Sequence, residues 1–171
     1  MYTAPPVTGL IQQARQGVLR RRVDEVARIA GLTDKEMAHI LNMSVRGLHG
    51  KVATETLSLA ASERLLLLER LLQHGLAVFD GRVDLLSRWL RTPLAELAYR
   101  EGATDVPEPN PLPLRQMGSF QGPTATHREK ADDFDAAGKV VPQSPLAVLD
   151  TVSGFLLADD VLGRIEWGIV G

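Results

Sequence analysis

The sequence predicts an all-α protein: an N-terminal helix-turn-helix region followed by a small helical domain that carries a long proline-rich insertion. Three observations lead there. Apolar residues make up 44% of the 171-residue chain and aromatics only 5%, with Leu and Ala abundant, so the apolar mass is of the helix-forming kind. Apolar positions recur at three- and four-residue spacing along most of the chain. Seven of the ten prolines lie between Pro107 and Pro145, which confines the segment that can be neither helix nor central strand to one stretch.

In chain order, Leu10, Ile11, Ala14 and Val18 share one helical face, and Gly17 is placed to break the first element from the second. Val23, Val26, Ala27 and Ala30 continue with helical spacing, and Gly31 follows as a C-terminal cap. Thr33-Asp34-Lys35-Glu36 fits a capping box, in which the Thr33 hydroxyl accepts from the Glu36 amide and the Glu36 carboxylate accepts from the Thr33 amide. Met37, Ala38, Ile40 and Leu41 form the inner face of that third helix, which should stop at Asn42, a residue that tolerates the left-handed conformation. Ser44 then caps a fourth helix, with Val45 and Leu48 inward and Arg46, His49 and Lys51 outward. Gly47 and Gly50 weaken it, at roughly 1 kcal/mol each in a helix interior.

Two short helices, a small residue (Ala38) inside the first, a turn with an αL-tolerant residue and a cationic second helix form the helix-turn-helix pattern. Thr33, Ser44, Arg46, His49 and Lys51 are the candidate DNA-binding residues, since the positive end of a helix and a nearby Arg suit phosphates and base edges. Net charge agrees in part. The chain carries −2 at pH 7, but residues 1–51 hold eight Lys and Arg against four Asp and Glu, a balance of +4 that leaves −6 for the rest.

Ser58 precedes a long helix over about 59–79, apolar on Leu65, Leu68, Leu72, Leu76 and Phe79, on Leu67, Leu71 and Val78 beside them, and on Leu66. So much apolar circumference predicts either the central helix of the domain or part of a homodimer interface. After Gly81, Val83, Leu86, Trp89 and Leu90 form a shorter helix that stops near Thr92-Pro93. Residues 98–143 read as a loop-like insertion in which only the polar run 126–133 could form a helix. Ser144-Pro145 then places a cap and a first-turn proline, with Leu146, Leu149 and Val152 on one side and Gly154 as the stop. A last helix, from about Ala158 to Trp167, turns Val161, Leu162 and Ile165 inward and is capped by Gly168, leaving Ile169-Val170-Gly171 as an apolar tail.

The sequence argues against catalysis. With no Cys, disulfides, thiolate zinc sites and cysteine nucleophiles are excluded and a reducing cytoplasm is the expected compartment. His39, His49, His74 and His127 fall in no ligand spacing, so no metal or cofactor is expected. His127, Glu129, Asp132 and Asp133 cluster only inside the insertion, where a preorganised site is hard to hold. No stretch nears the roughly 18 apolar residues of a membrane span, and Met1-Tyr2-Thr3-Ala4-Pro5-Pro6 lacks the features of a signal peptide.

The arrangement as a whole resembles the antitoxins of the Xre/MbcA/ParS type, partners of RES-domain toxins. The resemblance runs through Ala30-Gly31-Leu32-Thr33-Asp34-Lys35-Glu36-Met37-Ala38, Leu59-Ala60-Ala61-Ser62-Glu63-Arg64-Leu65, Phe79-Asp80 and Trp89-Leu90-Arg91-Thr92-Pro93. It resumes at Pro145-Leu146-Ala147-Val148-Leu149-Asp150-Thr151 and Gly154, and ends in Val161-Leu162-Gly163-Arg164-Ile165-Glu166-Trp167-Gly168. The resemblance implies two parts: residues 1–80, a helix-turn-helix region that dimerises and binds its own operator DNA, and residues 81–171, a toxin-binding domain. It further implies that the partner is a RES-domain toxin that breaks down NAD⁺, in a hetero-oligomeric complex. Leu162, Arg164, Ile165, Glu166, Trp167, Gly168, Ile169, Val170 and Gly171 would then cover the toxin's active-site entrance. The competing expectation is a stand-alone dimeric helix-turn-helix regulator with no toxin partner.

Overall fold

Helix α5 (Leu59–Val78) is the axis of the fold. The computed structural model describes residues 7–100 and 139–168. Among them, α1 (Val7–Gln16), α2 (Arg21–Ala30), α3 (Asp34–Ile40) and α4 (Val45–His49) precede α5, and α6 (Val83–Arg91), β1 (Leu94–Arg100), β2 (Val140–Gln143), α7 (Pro145–Val148) and α8 (Val152–Glu166) follow it. The helices belong to one compact unit, residues 1–98 with 142–171. A second unit, residues 99–141, falls almost wholly outside the described residues.

The four N-terminal helices form where the residue pattern places them. Gly31 caps α2 in the left-handed conformation at φ 62°, as the mark after Ala30 predicts. Thr33 accepts from the Glu36 amide at 3.2 Å and the Glu36 carboxylate accepts from the Thr33 amide at 2.7 Å, closing the capping box. Asn42 turns the chain between α3 and α4 at φ 51°, and Met37, Ala38, Ile40 and Leu41 are all buried. Two side chains depart from the expectation. Ile11 and Val45 face solvent, because α1 lies on α5 through Ala14 and the one-and-a-half turns of α4 are anchored by Leu48 alone.

Helix α5 is covered by the chain itself. It packs mainly against α1 on one side and α8 on another, so Leu65, Leu66, Leu68, Leu71 and Leu72 are buried without a second copy. Polar joints fix both seams. The buried Ser62 hydroxyl accepts from the Val18 amide at 3.0 Å and donates to the Leu57 carbonyl, tying the link between α1 and α2 to the start of α5. Further along, buried His74 contacts the Asp159 carboxylate of α8 at 2.7 Å and lies 3.6 Å from that of Glu166.

The C-terminal part corrects the sequence reading at several points. Val83 is exposed, since α6 buries Leu86, Trp89 and Leu90 against α2, α5 and α7 and leaves its first residue outside. The edges of the expected loop, residues 98–143, are ordered as strands: β1 and β2 pair in a two-stranded sheet, while the polar run 126–133 lies outside the described residues. Ser144 occupies the N-cap position of α7 with Pro145 in the first turn, but its hydroxyl makes no capping bond. Gly154 does not stop a helix. The last helix begins at Val152 rather than near Ala158, capped by the Thr151 hydroxyl accepting from the Gly154 amide at 3.0 Å. Gly154 is there because a Cβ would overlap the Val148 carbonyl oxygen, so only glycine lets α8 start against the end of α7.

Candidate nucleic-acid and partner surfaces

The turn between α3 and α4 presents its helices with unequal resources for DNA. Ser44 caps α4 by accepting from the Gly47 amide at 2.9 Å, which leaves its hydroxyl proton without an acceptor among the described residues and able to donate to a phosphate. Thr33 differs: its hydroxyl donates to Glu36 at 3.0 Å and is spent within the capping box. A Cβ at Gly47 would come within 2.9 Å of the Ser44 oxygen, so a larger residue there would have to shift the Ser44 hydroxyl. Gly50 is the C-cap of α4 rather than an interior position, so its helical cost does not apply.

The cations divide in the same way. Arg46 is exposed and makes no ion pair among the described residues, as does Lys35 in the first turn of α3. His49 sits 3.0 Å from the Asp34 carboxylate. Lys51 pairs with Glu55, which holds the Glu55 carboxyl below the usual carboxylate range. The sequence placed Thr33, Ser44, Arg46, His49 and Lys51 around one motif, and the structure leaves Arg46 and the Ser44 hydroxyl as the groups with capacity to spare.

Two arginines that hold the motif escaped the sequence reading. Arg20 counts toward the N-terminal positive charge yet is 7% exposed. Its Nε donates to the Leu48 carbonyl at 2.9 Å and its Nη1 pairs with Asp24 at 2.7 Å, so it works as a strut under the end of α4. Backbone bonds from Arg20 to Glu55 (2.8 Å), Arg21 to Ala53 (3.0 Å) and Leu57 to Val18 (2.8 Å) strap the segment after α4 to the start of α2. Arg91 reaches from α6 to α3: its Nε and Nη2 hold the two Glu36 oxygens at 2.9 and 2.8 Å, and Nη2 also donates to the Gly31 carbonyl at 2.9 Å. Burial pushes the Glu36 carboxyl up, but the Thr33 amide, the Arg91 guanidinium and the Thr33 hydroxyl outweigh it and hold the group below the usual range. The Asp24 four residues after Arg20, and the place of Arg91 in the Trp-Leu-Arg-Thr-Pro string, were the available signals.

At the other end of the chain, the residues expected to meet a toxin separate into core and surface. Leu162 is fully buried against α5 and serves the chain's own core rather than an outside contact. Ile165 is half-buried and Glu166 lies against His74. Arg164 is exposed and pairs with Asp160 at 2.8 Å. Trp167 is 65% exposed at the C-cap of α8, and Gly168 turns the chain away at φ 66°. Ile169, Val170 and Gly171 lie outside the described residues, as does the His127, Glu129, Asp132 and Asp133 cluster. Among the described residues no group of three or more His, Asp and Glu is placed to hold a metal ion, and no helix is long and apolar enough to cross a membrane.

An α3–turn–α4 unit braced by α2, which in turn packs on α5, defines a helix-turn-helix region. Residues 9–70 match the family model described as the antitoxin Xre-like helix-turn-helix domain, a span that runs from α1 into α5. This stretch is thus similar to the domain of Xre-type antitoxins, in agreement with the resemblance carried by the capping-box and Ser-Glu-Arg strings. Comparison with the curated proteins finds no match.

Proposed function

We propose that this chain is the antitoxin of a type II toxin–antitoxin pair, that it neutralises a RES-domain toxin that degrades NAD⁺ by covering the active-site entrance, and that it represses its own operon through α3 and α4. The match of residues 9–70 to an antitoxin domain carries this reading. Residues 1–80 serve DNA binding and 81–171 serve the toxin. The exposed Trp167 at the end of a helix pinned to α5 supports the second role, since an aromatic on a rigid support fills a concave pocket at low ordering cost. Blocking an entrance needs no chemistry from the blocker, so the chain acts in the cytoplasm as a non-enzyme. The partner contact is formed by Arg164, Ile165, Glu166, Trp167, Gly168 and the 169–171 tail, with Leu162 holding α8 in place beneath them.

The test is co-expression with the product of the adjacent gene, comparing the full chain with a truncation after Ile165. Growth arrest by the neighbour alone, relief by the full chain and failure of the truncation is the expected result. A harmless neighbour overturns the toxin reading and leaves the stand-alone regulator, whose signature is operator binding with a salt-dependent affinity.

A further inference from the structure

Helix α4 presents an apolar side chain that neither packing nor propensity accounts for. Val45 opens the helix and is 37% exposed, while Leu48, three positions on, is buried and anchors α4 to the core. A β-branched residue is a weak helix former, and an acid would suit the first turn better. The neighbours do not cover it. Ser44, Arg46, Gly47 and His49 are all exposed, and Ser44 and Gly47 are too short to shield an isopropyl group. A single exposed Val is ordinary on a protein surface. This one stands in the first turn of the second helix of the α3–turn–α4 unit, directly before Arg46, a cation with no ion pair among the described residues.

Where the second helix of such a unit enters the major groove, its first residues meet base edges. Those edges carry hydrogen-bond donors and acceptors on every base pair but only one apolar group, the 5-methyl of thymine. The Val45 side chain has nothing to donate or accept. Set against the ring nitrogen and carbonyl of guanine, or the amino group of adenine or cytosine, it would strip water from a polar atom and return no hydrogen bond. Against a thymine methyl, both apolar surfaces leave water and no polar atom is left unpaired.

We propose that Val45 is a specificity-determining residue that reads the 5-methyl group of a thymine in the operator. The inference rests on the reading that α3 and α4 bind operator DNA, and it names a base that this site selects. Charge and selection are then divided between neighbours. The attraction of Arg46 for phosphate is the same on every sequence, whereas the contact of Val45 is made with thymine alone.

The experiment compares two duplexes of one sequence, the stretch immediately upstream of this chain's own coding sequence. One contains thymine and the other uracil in its place, which removes the 5-methyl groups and keeps every base pair. The full chain is titrated into each by fluorescence anisotropy at one fixed salt concentration, with an unrelated duplex of equal length as the reference. The wild-type chain is expected to prefer the thymine duplex by roughly fourfold for each methyl that Val45 meets, the effect of burying one methyl-sized apolar group. Val45→Ala should bind the thymine duplex more weakly by the same factor and bind the two duplexes nearly alike. Ala is the better helix former, so this variant keeps α4, and a thermal melt checks that it does. Equal wild-type affinity for the two duplexes overturns the thymine contact and leaves operator binding standing. A Val45→Ala chain that discriminates as the wild type does assigns the methyl to another residue and overturns it as well. No preference for the upstream duplex over the reference removes operator binding itself, and this contact with it.

Discussion

At the scale of single residues, the capacity of a group to bind a partner depends on what it already holds. Arg46 and Lys51 read as equal contributors in the sequence, but Lys51 is countered by Glu55 and Arg46 is not. In operator titrations against salt, Arg46→Ala is expected to weaken binding and reduce the log–log slope by about 1, while Lys51→Ala leaves the slope nearly unchanged. Glu36 illustrates the same point for acid. Its carboxyl is held below the usual range when folded, so the stability it contributes is fully present above the unfolded value and is lost as pH falls through the folded one. Thermal melts should therefore be level near neutral pH and decline below about pH 4.5, with Glu36→Gln showing a shallower decline. The capping box was legible because it is local. The bidentate grip of Arg91 on the same Glu36 was not, because it joins positions 55 apart in the chain.

At the scale of elements, propensity and caps placed the four N-terminal helices and α5 with little help from elsewhere. Ser44, Ser58, Thr33 and Gly31 each act at the position the residue pattern marks. The junction between α7 and α8 went otherwise. Gly154 looks like a stop to any reading based on backbone entropy, and it stands inside the first turn of α8 because the Val148 carbonyl occupies the place of its Cβ. Gly154→Ala is expected to destabilise the chain by about 3 kcal/mol, or roughly 10 °C in Tm, an effect far above that of Gly→Ala at an open helical site such as Gly163. Differential scanning calorimetry on the two variants checks it. The strands β1 and β2 were missed for a related reason: Leu94–Arg100 has no polar alternation of its own and is recruited by a partner forty residues away.

At the scale of the whole molecule, one helix serves two ends. Helix α5 closes the helix-turn-helix through α1 and Ser62 and carries α8 through His74 and its leucines. The exposed Trp167 at the end of α8 is thereby held on the same axis as the helix-turn-helix.

The sequence by itself determined the helical class, the five N-terminal helices with their caps and the turn at Asn42, since all of these rest on interactions between residues a few positions apart, and it carried the resemblance in residues 30–38 and 59–65 that the match over 9–70 supports. Only the tertiary structure decided which charges are spent, that Arg20 is a buried strut under α4, that Leu65, Leu66, Leu68, Leu71 and Leu72 of α5 are covered within the chain, and that α8 turns an apolar stripe outward. Those facts depend on which distant surfaces meet, and burial changes the role of a side chain without changing its place in the pattern.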